Sequence, residues 1–397
     1  MEKVITDEKK IDEILTRGVE DIFVKEELRT LMLSGKQLRI KLGVDPTGPK
    51  IHLGRAIPLR KLREFQKLGH QVVFIVGDFT ALVGDASDKS EKRPMLTRAE
   101  IDENLKDYKS QISKILDLSK TEFVYNGDWL SKLTFEEVTR LAECFSVQQM
   151  LTRRNFKDRY EGGVEISLRE FLYPIMQGYD SVAVKADVEL GGFDQLFNLK
   201  AGRVMQEYFG QPKQSVFTCQ MLEGTDGRKM SSSWGNVIAI VDDPETMFGK
   251  VMALNDTLII KYFILCTDTP LEEIQSHEIA MKSGTNPKDI KMQLASELVT
   301  LYHTEKDATL AKNSWIAAFQ EGGIPETIPE ISTSKEKEMG ELLVEKQIVS
   351  SKTDWRRLIQ EGAVHDVERG KIIDPKQLAY NGVFKIGKKR FVRIVVQ

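Results

Sequence analysis

Residues 71–76, Gln-Val-Val-Phe-Ile-Val, carry five apolar side chains in a row with no polar alternation. A strand of that pattern must be covered on both faces, as in a parallel sheet sandwiched between helices. The preceding residues supply the rest of the unit. Residues 38–44 read as another strand and 52–68 as an amphipathic helix, with Leu59, Leu62, Phe65 and Leu68 near one side and Gly69-His70 closing it. Strand, helix and strand of these lengths form a βαβ unit. Further strands are expected at 122–125, 187–190 and 215–222, with helical stretches between them. The fold class is therefore α/β, with a doubly wound, Rossmann-like parallel sheet.

Ligands of such sheets sit beyond the carboxyl ends of the strands. Here those ends read DPTGPKIHLG, GDFTALVGD, NGDW, LGGFDQ and EGTDGRKMSSS. Glycine and short polar residues recur at each, which is the composition of a binding crevice rather than of scattered loops. After about residue 235 the pattern turns helical, and 287–319 reads as one long helical stretch. A Pro-, Thr- and Ser-containing linker at 322–334 precedes a basic tail: residues 331–397 hold 14 Lys/Arg against 9 Asp/Glu, leaving −8 on the body of a chain whose net charge is −3. That asymmetry suits an RNA- or membrane-facing module. No apolar run approaches the ~18 residues of a membrane span. The start, MEKVITDEKKIDEIL, is amphipathic and unlike a secretory leader. Three cysteines without metal-ligand spacing argue against a disulfide framework or a metal centre and fit the reducing cytoplasm.

Two strand ends carry chemistry. An isolated histidine at a helix start is usually a cap or a surface group, but His52 follows a strand, comes after Thr47 and stands beside Gly54. The helix start adds free N–H groups and a positive dipole end, which favour phosphate. The second, Gly227–Ser233 in numbers 227–233, places Lys229 before three hydroxyls, a point charge and donors suited to a polyphosphate. Elsewhere, Tyr173, Gln177 and Asp180 recur at i, i+4 and i+7 in SLREFLYPIMQGYD, one face of one helix. In so apolar a segment such a stripe can line an interior pocket as well as face solvent. A buried carboxylate there can accept from a phenol, and an analogue without the hydroxyl would leave it unpaired.

DPTGPKIHLGR and KMSSS resemble the two signatures of class I aminoacyl-tRNA synthetases, HIGH and KMSKS, in the expected order. FTALVGD, REFLYPIMQGYDSVAVKADVELGGFDQLFN and GRKMSSSWGN are similar to bacterial tyrosyl-tRNA synthetases, in the branch with VELGG-DQ-FN, so that the resemblance spans nearly the whole chain. It implies ATP with Mg²⁺ as co-substrate, tyrosine and tRNA(Tyr) as partners, a homodimer, and neither DNA nor membrane. It divides the chain into a catalytic domain (1–222), a signature loop with a helical anticodon-binding domain (223–330) and a small α+β RNA-binding module (331–397). Thr47, His52 and Lys229 are the implied catalytic groups. ATP falls to Asp45, Gly54, Arg55, Gly192, Asp194, Met230, Ser231, Ser232 and Ser233. Tyrosine falls to Lys41, Asp85, Asn126, Tyr173, Gln177, Asp180 and Gln195, with Asp85, Tyr173 and Gln177 on its amino group and Asp180 on its hydroxyl.

Three positions depart from the pattern. Arg55 replaces the last histidine of the first signature and Ser232 the second lysine of KMSKS. Lys41 stands where relatives place a tyrosine near the substrate hydroxyl, which leaves Asp180 without an obvious partner. In the tail, two short helices and a strand are expected, with Ser350 or Ser351 capping the second helix, Trp355, Leu358 and Ile359 inward, and Gly362 ending it. Lys352, Arg356 and Arg357 would then cluster outward for RNA. A tryptophanyl enzyme, a non-catalytic RNA-binding paralogue and a small nucleotidyltransferase are the rival readings.

Overall fold

The computed structural model describes residues 3–85, 95–319, 328–333, 337–387 and 390–396. Most of the 322–334 linker lies outside the described residues. Two compact units emerge, Met1–Asp242 with Lys250–Tyr302, and Asp243–Gly249 with His303–Gln397.

The first unit is built on six strands among the described residues: β1 (Val19–Phe23), β2 (Arg39–Val44), β3 (Gln71–Val76), β4 (Thr121–Tyr125), β5 (Val188–Gly192) and β6 (Ser215–Cys219). Their order is β1-β6-β5-β2-β3-β4, parallel from β6 to β4, with β1 antiparallel on the edge. The apolar run that opened the sequence reading is β3, buried from Val72 to Val76. The chain winds one way from β2 through β3 to β4 and the other way through β5 and β6. The switch point between β2 and β5 is where a doubly wound sheet opens a crevice. The helix Leu53–Lys67 crosses from β2 to β3, burying Leu53, Ile57, Leu59, Leu62 and Phe65. The helix Leu168–Ala183 packs closely against Leu196–Tyr208, where Gly178 lets the two backbones approach: a Cβ there would meet the Ala201 carbonyl oxygen at 3.0 Å.

Helices Ile259–Cys266, Leu271–Lys282 and Pro287–Tyr302 complete this unit. The first lies against Leu53–Lys67, tied by Arg60 and Arg63, which both reach Asp268. The long helix expected over 287–319 is instead two. It breaks after Tyr302, and Thr304 caps the second, Glu305–Phe319, by accepting from the Asp307 N–H at 3.1 Å.

In the second unit the tail forms more sheet than expected. Strands β7 (Glu330–Thr333), β8 (Val364–Asp366), β9 (Gly370–Lys371), β10 (Gly382–Ile386) and β11 (Arg390–Val396) run in the order β7-β11-β10-β8-β9. Helices Met339–Glu345 and Lys352–Gln360 cover it, around a core of Leu343, Trp355, Leu358, Phe384 and Val392. Ser351 caps the second helix through the Asp354 N–H, and Gly362 ends it at φ +63°. Lys352, Arg356 and Arg357 are exposed, but two of them are engaged: Lys352 by Glu341, Arg357 by Asp354 and Glu361.

Candidate active site

A cavity of about 300 Å³ opens at the switch point, beyond the carboxyl ends of β2, β3, β5 and β6. It is lined by Asp45, Thr47, His52, Gly54, Arg55, Asp85, Asn126, Tyr173, Gln177, Asp180, Gly192, Asp194, Gln195, Lys229, Met230 and Ser231 to Ser233. The two signatures meet because the chain after the KMSSS segment returns alongside the helix start: Leu53 N donates to Ile238 O at 2.9 Å, and Ile240 N to Ile51 O at 2.9 Å.

At the floor, Asp180 is buried and accepts from Trp129 Nε1 at 2.8 Å and from Asn126 Nδ2 at 3.3 Å. Burial pushes its carboxyl up to about 7, against the opposing pull of Lys41 and the two donors. Asp180 therefore has partners, contrary to the expectation. Asn126 is fixed in turn by Phe79 N and Thr80 Oγ1. Tyr173 donates to Asp45 Oδ2 at 2.9 Å while Thr80 Oγ1 donates to Asp45 Oδ1 at 2.7 Å. Gly77 is required here, since a Cβ would lie 2.0 Å from Asp45 Oδ1. Asp85 pairs with Arg153 at 2.5 Å and accepts from Gln195 Nε2 at 2.7 Å.

Lys41 corrects the sequence reading. Its side chain is fully buried, does not line the cavity, and forms an ion pair of 3.0 Å with Glu189. It also donates to Gln177 O at 3.0 Å and Ser181 Oγ at 2.8 Å, so its ammonium is engaged inside the sheet rather than offered to a substrate hydroxyl.

At the rim, His52 is buried, and its imidazole is driven down to about 3 by burial and by the charges of Arg55 and Lys229. It is neutral at pH 7, so it can donate to a ligand without bearing charge, and its Nδ1 is buried without a hydrogen-bond partner. Arg55 reaches Thr47 Oγ1. Lys229 lies 3.0 Å from Asp194. The loop between is pinned by Asn236, which accepts from Ser231 N at 2.8 Å and donates to Lys229 O at 3.1 Å. Met230 is tucked under it, its sulfur 3.3 Å from Gly54 N, so a backbone N–H at the helix start has a soft acceptor.

Trp129, Thr80, Arg153, Glu189 and Asn236 were missed. Trp129 stood in the NGDW stretch, unweighed. Glu189 was visible as a carboxylate inside the apolar run that becomes β5. A second hollow, about 340 Å³, lies beside the helix Leu53–Lys67. Its charged groups already serve the fold: Arg60 and Arg63 hold Asp268, and Lys61 donates to the carbonyls of Ile14 and Arg17.

The sheet order, the crevice at its switch point and the two facing signatures define a class I synthetase site. In agreement, the family model described as tRNA synthetases class I (W and Y) matches residues 33–320, and the chain belongs to that family. Within it, the chain is 48% identical over 386 residues to a tyrosine–tRNA ligase of Thermotoga maritima, covering 96% of both, and 46% identical over 403 residues to one of Carboxydothermus hydrogenoformans, covering 97% of both. Among solved structures, a truncated mitochondrial tyrosyl-tRNA synthetase of Aspergillus nidulans superposes with a TM-score of 0.65 at 22% identity, covering 78% of this chain and 94% of that one. The enzyme of Archaeoglobus fulgidus complexed with L-tyrosine gives 0.61 at 23%, covering 77% and 99%. Both show the same fold.

Proposed function

We infer that this chain activates tyrosine with ATP and passes the tyrosyl group to the 3′ end of tRNA(Tyr). The observation that carries the reading is the buried Asp180 carboxylate, on the floor of the cavity whose rim holds Thr47, His52 and Lys229. A carboxylate offers about four acceptor positions. Trp129 and Asn126 take two, and a phenol O–H fits a third.

In the first step a tyrosine carboxylate oxygen attacks the α-phosphorus of ATP. The bond from that phosphorus to the bridging oxygen breaks, and pyrophosphate leaves with the electron pair. Charge grows on phosphate oxygens, so fixed donors supply the acceleration without a covalent enzyme intermediate. Thr47, the neutral His52 and Lys229 are those donors, with Ser231 to Ser233 supporting. Lys229 exchanges Asp194 for phosphate, which frees Asp194, after Gly192, for the ribose hydroxyls. A Cβ at Gly192 would sit 2.6 Å from Asp194 Oδ1. Asp45, Gly54, Arg55 and Met230 complete the nucleotide side. Tyr173, Gln177 and Asp85 surround the ammonium group, with Gln195 beside the carboxylate. Mg²⁺ would accompany the triphosphate as its counter-ion, since no group of His, Cys, Asp and Glu among the described residues could hold a metal by itself. In the second step a terminal ribose hydroxyl of the tRNA attacks the tyrosyl carbonyl carbon and AMP leaves.

The helices after 235 meet the anticodon side of the tRNA, and Lys352, Arg356 and Arg357 meet its backbone. A homodimer in the cytoplasm is part of the proposal. Phe135 and Leu168, 88% and 81% exposed, are apolar groups that a second copy would cover. No helix of the described residues is long and apolar enough to cross a membrane.

Amino-acid-dependent exchange of pyrophosphate into ATP tests the reading. Exchange with tyrosine alone supports it; exchange with tryptophan, or with neither, refutes it.

A further inference from the structure

Lys41 and Glu189 are register partners on the adjacent parallel strands β2 and β5. Their side chains are 0% and 1% exposed. Both members of the pair are held by several polar groups. Lys41 forms the ion pair with Glu189 and donates to Ser181 Oγ and the Gln177 carbonyl. One Glu189 oxygen faces the Lys41 ammonium and accepts from Gln177 Nε2 at 3.0 Å, the other accepts from Ser181 Oγ at 3.0 Å and Gln214 Nε2 at 2.5 Å. Such a network of buried groups holds its members in one arrangement, since rotation leaves a charged group poorly paired.

The network reaches the cavity through a single side chain. An ionised carboxylate only accepts, so Gln177 must turn its NH₂ toward Glu189, which leaves its amide oxygen on the opposite edge. Gln177 itself lines the cavity. Lys41 also bonds Gln177 O and Ser181 Oγ, the residues that bracket Asp180 on the same helix.

We propose that the Lys41–Glu189 pair is a positioning unit for amino-acid recognition, holding the Gln177 amide with its oxygen toward the cavity so that it accepts from the tyrosine ammonium group. The proposal rests on the reading of Gln177 as an ammonium contact. An amide turned the other way would aim N–H donors at a cation.

The full-length double variant Lys41→Met with Glu189→Gln removes both charges together. Gln at 189 donates as well as accepts, so the amide of Gln177 is free to turn. Pyrophosphate exchange gives the KM values for tyrosine and ATP. Inhibition by 3-(4-hydroxyphenyl)propionate, which lacks the amino group, reports the rest of the pocket. The tyrosine KM should rise about tenfold, the loss of one hydrogen bond to a charged group, with the ATP KM and the inhibition constant within about twofold. Equal weakening of tyrosine and the analogue, or no change in either, overturns the proposal.

Gln177→Leu separates the two layers of inference. On its own it must weaken tyrosine and spare the analogue; if it does not, the ammonium reading of Gln177 fails independently of the pair. In the Gln177→Leu background the double change must add less than about twofold, and an additive loss refutes the coupling. Should circular dichroism show the double variant unfolded, Ser181→Ala, which removes one hydrogen bond from each member of the pair and no charge, carries the same comparison.

Discussion

Replacing Trp129 with Phe tests how the pocket floor keeps its carboxylate ready for a phenol. The ring packs beside the cluster of Val73, Ile75, Val184 and Ala186, and Phe preserves that apolar contact. What is lost is the indole N–H held 2.8 Å from Asp180 Oδ1. A hydrogen bond to a charged group contributes about 1.5–3 kcal/mol, equivalent to roughly one to two pKa units. The lost donor stabilised the anion, so the shift is upward, from about 7 to roughly 8–9. The ionised form is the better acceptor for a phenol, and it becomes scarce at neutral pH in the variant. The assay is kcat/KM for tyrosine in pyrophosphate exchange between pH 6 and 9. The unaltered enzyme should rise through a midpoint near 7 and the variant through one displaced upward by about one unit or more. At pH 7 the variant should lose about tenfold on tyrosine. Phenylalanine gives the carboxylate no proton to accept, so the preference for tyrosine over it should narrow. A uniform loss at every pH with an unmoved midpoint would show that Trp129 only packs, and would refute the electrostatic reasoning.

Lys229→Ala removes the cation now resting on Asp194 and should slow tyrosyl-adenylate formation by about 100-fold or more, while tyrosine affinity by equilibrium titration changes little. Comparable losses in both would count against a phosphate role. Ending the chain before Ile331 removes a module with its own apolar core around Trp355 and Phe384. Tyrosine transfer to tRNA should fall and become more salt-sensitive while pyrophosphate exchange persists; a joint fall would make the tail structural.

The parallel strands β2 to β6 were legible because each carries a short apolar or β-branched stretch, most plainly β3, which is buried from Val72 to Val76. Strand β1 was not: Val-Glu-Asp-Ile-Phe reads as a polar segment, and it joins only as an antiparallel edge beside β6. The break at Thr304 was hidden because both flanking segments keep helical periodicity, and a threonine becomes a cap only when the chain turns there. The motif residues of the site were legible for a local reason, since each stands at a strand end or along one helix face. Their partners were not, because they arrive from far along the chain: Arg153 reaches Asp85 across 68 residues and Trp129 reaches Asp180 across 51.

Lys41 shows where such reading stops. By position it stands in place of a group that touches the substrate, yet its charge lies inside a sheet where an unpaired ammonium is costly. Glu189 poses the same problem one strand away. Each charge is anomalous alone, and together they form a neutral pair, a conclusion that requires knowing that β2 neighbours β5. Arg55 is similar. It stands in place of a histidine, but it holds the Thr47 hydroxyl and, with Lys229, adds to the burial that keeps His52 uncharged. At each of these positions the departing residue holds neighbouring polar groups, Glu189 and Ser181 for Lys41 and Thr47 for Arg55, while Thr47, His52, Asp180 and Lys229 line the cavity.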